Sequence, residues 1–327
     1  QSRADARLNS LLVEYEQFDR GVDPITSGFE GGGEALSRLP DVTPEAQARS
    51  RAALSGLASR LEQVRAQPLS ASAQLNRTLL LRLIGERIES LDFDESRMPF
   101  GNSGGFFGTG DYLARTTPVR SAADAEAWLA RLQALPGYLD ANVANARRGV
   151  ATGFTQPRIV VDRALELARA QRTSVAETLL LPFAQFPDTV PAAAQEEYRA
   201  RARAIIGEAI LPAHDRVIAF LEREYLPAAR PALAARSLPN GEAYYRYLVR
   251  QHTTTSMTPD EIHALGQSEV RRIRGEMDAV IREASFTGTF AEFQRFLRTD
   301  PRFYARTPQE LMEKAAEIAK RADDQMP

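Results

Sequence analysis

Apolar residues return at three- and four-residue steps along nearly the whole chain, and that period commits it to helix. Leu8, Leu11, Leu12, Tyr15 and Phe18 make one such stripe, and Leu54, Leu57, Leu61 and Val64 make another. Thr43 before Pro44 reads as an N-cap and first helical position for the second. The spacing predicts a helix over 75–91 with Leu79, Leu80, Leu83, Ile84 and Ile88 inward. A further helix is expected over 121–135, opened by Ser121 with Asp124 three residues on. The tract 191–225 is the longest periodic one, with a kink expected near Pro212. Thr258-Pro259-Asp260-Glu261 is a capping box whose helix would bury Gly266, Val270, Ile273, Met277 and Val280. Thr307-Pro308-Gln309-Glu310 repeats that start signal. Alternating apolar patterns of strand length are missing, the best short run being 158–161, and no fixed repeat period stands out. The expected fold is all-α or nearly so: a large multi-helix lobe with long irregular loops and at most a minor sheet.

Two glycine-rich stretches interrupt the helices. One, 21–40, contains Gly28, Gly31, Gly32 and Gly33. The other, 93–118, sets Phe100, Phe106 and Phe107 among five glycines. A loop of the second length either lines a cleft or covers the core. Its end, 117–121, is a weak candidate for a subdivision of an otherwise single lobe spanning 1–327.

Composition excludes several functions. A net charge of −2 does not supply the basic face that nucleic acid requires. With no cysteine, disulfides, thiolate metal sites and cysteine nucleophiles are all ruled out. No apolar run approaches the roughly 18 residues of a membrane span. A chain that opens on Gln1 and carries no thiol fits export after signal-peptide removal, periplasmic and with or without a lipid anchor; a cytoplasmic protein fits the same composition.

Most chemical motifs fail on context. Gly101-Asn102-Ser103-Gly104-Gly105 matches Gly-x-Ser-x-Gly literally, but no strand precedes it, no helix follows directly, and no histidine comes before His214. A serine hydrolase built on Ser103 is therefore a distant alternative. No Gly-Lys-Ser/Thr exists, so there is no P-loop. His214, His252 and His263 are too dispersed for the convergent ligands zinc needs, and no His-Glu-x-x-His occurs. His214 sits on an apolar helical face and reads as a core residue. His263 falls in the first turn of a helix, where a cation is disfavoured. The acidic pairs, Asp92 with Asp94 and Glu95 among them, read as solvated faces.

The polar junction between two predicted helices is the strongest site candidate. Tyr244, Tyr245, Arg250, His252 and Thr254 follow one another there. Tyrosines can hold a peptide backbone or stabilise charge on a scissile carbonyl, and an arginine can clamp a carboxylate in bidentate fashion. The same residues equally make a hydrogen-bonded helix junction, with rings in the core and hydroxyls as caps.

The segment from Leu238 to Gly266, LPNGEAYYRYLVRQHTTTSMTPDEIHALG, resembles the matching part of a bacterial family catalogued as domain of unknown function 885. So do Ala127-Trp128-Leu129-Ala130-Arg131-Leu132 with Leu135-Pro136-Gly137-Tyr138-Leu139, and the run GVATGFTQPRIVV from Gly149 to Val161. That family looks like a distant branch of the thermolysin-like zinc peptidases. The resemblance implies a longer, exported, two-lobed helical protein with a peptide substrate held in a cleft. Its zinc would sit in a His-Glu-x-x-Pro-Gly-His signature in a C-terminal lobe, polarising the peptide carbonyl while a glutamate serves as base. Nothing in this chain matches that signature, so no catalytic residue is carried over. The chain is expected to be the N-terminal lobe, partnered by the C-terminal one and holding no zinc itself. The alternative is a non-catalytic peptide-binding or scaffold module.

Overall fold

The computed structural model describes residues 3–30, 33–64 and 68–326, and they form two compact units, one up to Thr253 and one from Thr254 onward. Helix dominates both, as the periodicity predicts; among the described residues the sheet is a single two-stranded hairpin.

The first unit begins with α1 (Arg3–Val22), α2 (Pro24–Phe29), α3 (Pro44–Val64) and α4 (Ala71–Phe93). α1, α3 and α4 bury one another's stripes, with Leu8, Leu54, Leu57, Leu61 and Ile84 sealed between them. Ser70 caps α4 by accepting from the Ala73 N–H at 3.3 Å. The inward set of α4 is narrower than its sequence stripe: Leu80 and Ile84 are buried, whereas Leu79 and Leu83 are half exposed. α1 and α3 cover only the row through Ala73, Leu80 and Ile84, and the row through Leu75, Leu79 and Leu83 turns away from it.

The stretch 93–118 is folded. A 3-10 turn (Glu95–Arg97) leads to the hairpin β1 (Phe100–Gly101) and β2 (Gly104–Gly105), paired antiparallel with Phe100 opposite Gly105. A second 3-10 turn and α5 (Thr109–Thr116) follow. Phe100, Phe106 and Phe107 enter the main core, so of the two readings of this loop the core cover is the one realised. In the first glycine stretch α1 and α2 take up much of 21–30 and a 3-10 turn takes 33–37, while Gly31 and Gly32 lie outside the described residues.

The main core is built by α6 (Ala122–Thr152), α7 (Arg158–Thr178), α8 (Ala192–Ile205), α9 (Leu211–Phe220) and the short α10 (Leu226–Ala228). Ser121 caps α6 as expected, accepting from the Asp124 N–H at 3.2 Å. The helix does not stop at Leu135, however; it runs through Pro136 to Thr152. Proline there forfeits one backbone bond, but Leu139, Val143 and Ala146 on the far side are all buried, and that burial holds the helix together. The kink expected at Pro212 takes the form of a π-helical turn, Ile206–Ile210, just before it, and a second π turn, Leu221–Tyr225, stands before Pro227 in the same way. A π turn absorbs the missing N–H without ending the helix. Residues 158–161 are the first turn of α7, and the only extended feature there is a lone parallel bridge between Pro157 and Arg230. The link 117–121 joins α5 to α6 inside this unit.

α11 (Gly241–Thr253) ends the first unit. The second consists of α12 (Pro259–Glu283), α13 (Phe290–Thr299) and α14 (Pro308–Asp323). Thr258 and Glu261 form the predicted capping box. The apolar face of α12 is present but not buried: Val270 is 68% exposed and Val280 54%, and of the helix only Ile281 is buried. No helix among the described residues is long and apolar enough to cross a membrane.

Candidate functional site

The polar junction is assembled by two turns. Asp94 ends α4 in the left-handed region (φ 54°), which swings Glu95 back under α11. At the other end, Asn240 also takes a left-handed conformation (φ 54°). Gly241 then starts α11 so close to the preceding turn that a Cβ would lie 2.5 Å from the Ala235 carbonyl oxygen. The Pro-Asn-Gly sequence thus has a steric cause.

Between these turns lies an aromatic cluster. Phe93 stacks on Tyr247 at 5.1 Å and tilts against Tyr244 at 5.2 Å; Phe154 meets Tyr244 edge-on at 5.3 Å. The Tyr244 hydroxyl donates to Glu95 Oε1 at 2.9 Å, and Ser90 donates to the other carboxylate oxygen. Burial, reinforced by the Glu95 charge, pushes the Tyr244 phenol well above its usual range, so it stays a neutral donor. Burial also raises the Tyr247 phenol, whose oxygen is sealed off without a hydrogen-bond partner of normal geometry. Arg97 lies over the Phe154 ring at 4.2 Å and donates to Thr152 Oγ1 and to the Phe93 carbonyl. Arg148 pairs with Asp94. Asp94 and Glu95 are therefore partnered joints between α4, α6 and α11, not the solvated acids their sequence context implied.

The five site candidates separate. Tyr244 is in the cluster. Tyr245, next on the helix, is 44% exposed. Arg250 is engaged by Glu89 of α4. His252 is exposed at the end of α11, and Thr254, at φ 59°, opens the second unit. Ser90, Glu89 and Glu95 complete the junction and were missed by sequence reading, because they stand some 150 positions earlier; their one local signal was the acidic run itself. Chemically the junction offers neutral phenol donors and paired carboxylates.

Ser103 sits exposed at the hairpin tip, beside Gly104 at φ +141°. His214 is buried between the two π turns, where desolvation, with the Arg172 charge adding to it, pulls its pKa down to about 4. His263 meets Gln267 at 2.9 Å on the surface of α12. Among the described residues no three His, Asp or Glu side chains gather as a metal set. These residues do not fit zinc, and no step is derived through one.

A family model described as "Bacterial protein of unknown function (DUF885)" matches residues 24–327. Among solved structures, the chain is similar to that of "the putative lipoprotein from Colwellia psychrerythraea", with TM-score 0.80 and 18% identity. The likeness covers 98% of this chain and 58% of the Colwellia chain, so this chain spans little more than half of that one. At that identity the match speaks for the fold. A comparison with curated proteins gives no match.

Proposed function

The chain belongs to the bacterial family DUF885, and on that premise we propose that it is the N-terminal helical lobe of a longer zinc-dependent peptidase. It helps form the peptide-binding cleft, while the zinc and its ligands belong to a C-terminal lobe. The observation that carries this reading is the length relation: almost all of this chain matches the fold of little more than half of a longer chain. The exposed apolar face of α12 adds support, since further polypeptide of the same protein would cover it. Export, with a lipid anchor as one form of it, accords with the name of the Colwellia protein and belongs to the same proposal.

In this reading Tyr245, exposed on α11, and Arg250, released from Glu89, face peptide, whereas Tyr244 only holds the junction together. The test uses the protein its gene encodes, a quenched peptide library and a chelator arm. Arg250→Ala combined with Tyr245→Phe should lower peptide turnover at least about tenfold, the scale of one lost charge-assisted contact, with the melting temperature nearly unchanged. A large stability loss with unchanged turnover per folded molecule would make the pair structural. A second reading, a peptide-binding scaffold without chemistry, is favoured by the pairing of Glu95 with Tyr244 and Ser90, Asp94 with Arg148 and Glu89 with Arg250 inside the junction. Chelator-insensitive absence of turnover, with peptide still bound, is its signature.

A further inference from the structure

Arg131 is a cation buried without a counter-charge. Its residue is 3% exposed on α6, yet among the described residues it forms no salt bridge, unlike the many surface arginines of this chain. Nε donates to the Arg38 carbonyl at 3.1 Å and Nη2 to the Ala35 carbonyl at 2.9 Å. Both acceptors are neutral, and a guanidinium carries five N–H donors. Among the described residues these two carbonyls are the partners the guanidinium takes. Desolvation lowers the pKa to about 10, so the group remains charged at neutral pH. A buried charge of this kind is normally paired.

The side chain lines a cavity of about 400 Å3 bounded by α2, the 33–37 turn and the segment running from α5 into α6. Ile25, Phe29 and Leu36 give it an apolar wall, and Arg120 adds a second cation that makes no ion pair among the described residues. The one acid in the lining, Asp124, is already engaged by the Arg120 backbone N–H at 2.8 Å. The cavity therefore joins two cations, set against a single carboxylate, to an apolar surface.

We infer that this cavity binds a small organic monocarboxylate, its carboxylate on Arg131 and its apolar body against Ile25, Phe29 and Leu36. The remaining N–H donors suffice for a carboxylate, and the wall of Ile25, Phe29 and Leu36 suits an organic body that inorganic phosphate lacks. The site is separate from the α4–α11 junction and does not rest on the peptidase reading.

Benzoate is the probe, titrated into the 327-residue chain by calorimetry and by amide spectra. One saturable site is expected, shifting amides in 25–30, 33–37 and 116–131. Benzyl alcohol, similar in shape but uncharged, should bind at least about tenfold more weakly, and inorganic phosphate should not compete. Arg131→Met should abolish binding. Because that change also cuts the ties to residues 35 and 38, Gly28→Ala serves as the second variant. Its added methyl stands 3.2 Å from Leu36 Cδ2 and 3.7 Å from Arg131 Nη2, narrowing the cavity with the charge intact. It should weaken benzoate at least about threefold. Absence of saturable binding, equal binding of benzyl alcohol, competition by phosphate, or unchanged affinity in Gly28→Ala would each overturn the assignment.

Discussion

Single residues carry more of this fold than their sequence context announces. Gly149 is one: a Cβ there would stand 2.4 Å from the Arg97 carbonyl oxygen and 2.8 Å from that of Phe154. Both are backbone atoms and cannot swing aside. Gly149→Ala should cost roughly 2–4 kcal/mol in urea denaturation, although alanine favours helix elsewhere. His214 sets a pH dependence. Its folded pKa, about 4, lies below the ordinary 6.5, so the unfolded chain takes up the proton first as pH falls. Stability is therefore lost between pH 6.5 and 4, by roughly 3 kcal/mol in all, and is unaffected by this group above that window. Urea midpoints at pH 7 and 4.5 should converge in His214→Gln relative to wild type; an equal drop in both proteins would assign the acid sensitivity elsewhere. His214 was legible as a core residue from the apolar face it shares with Ile210 and Val217. Gly149 was legible only as part of a motif, because the atoms that forbid a side chain there come from residue 97.

At the scale of elements, the start signals were written locally and proved reliable. Ser121, Thr258 and Thr307 all cap their helices by accepting from the N–H three residues on, but only Thr258 among them closes the reciprocal box; Glu310 accepts from the Arg306 N–H instead of that of Thr307. Helix ends and facing were not local. Pro136 reads as a stop but is overridden by the burial of Leu139 and Val143, and Pro212 is absorbed by the π turn before it. The junction candidates show the same limit. Tyr244 and Arg250 were found, but their partners Glu95 and Glu89 were hidden in an acidic run that looked solvated. The face of α12 is apolar exactly where the pattern says and uncovered all the same, with Ile273, Met277 and Val280 beside Phe290 and Phe293 of α13 along one open groove. A charge placed on it should thus be nearly free in this chain. Val280→Glu is expected to shift the stability of residues 1–327 by less than about 0.5 kcal/mol, while lowering the soluble yield of the protein its gene encodes. A loss of several kcal/mol in the short chain would mean that the face is already packed.

For the molecule as a whole, the sequence conveyed the all-α class because helical period is a property of neighbours along the chain. The division after Thr253 left no mark of its own, since Thr253-Thr254-Thr255 reads as one polar run. On the proposed reading, the described residues are scaffold and the bond-breaking chemistry belongs to a C-terminal lobe. Metal stoichiometry tests that claim most directly. Elemental analysis of the gene-encoded protein should find about one zinc per molecule, the number a single catalytic site requires. The same analysis of residues 1–327 should find zinc far below stoichiometry, however the chain is loaded and dialysed. Stoichiometric zinc on the short chain, or its absence from the longer protein, would contradict the account.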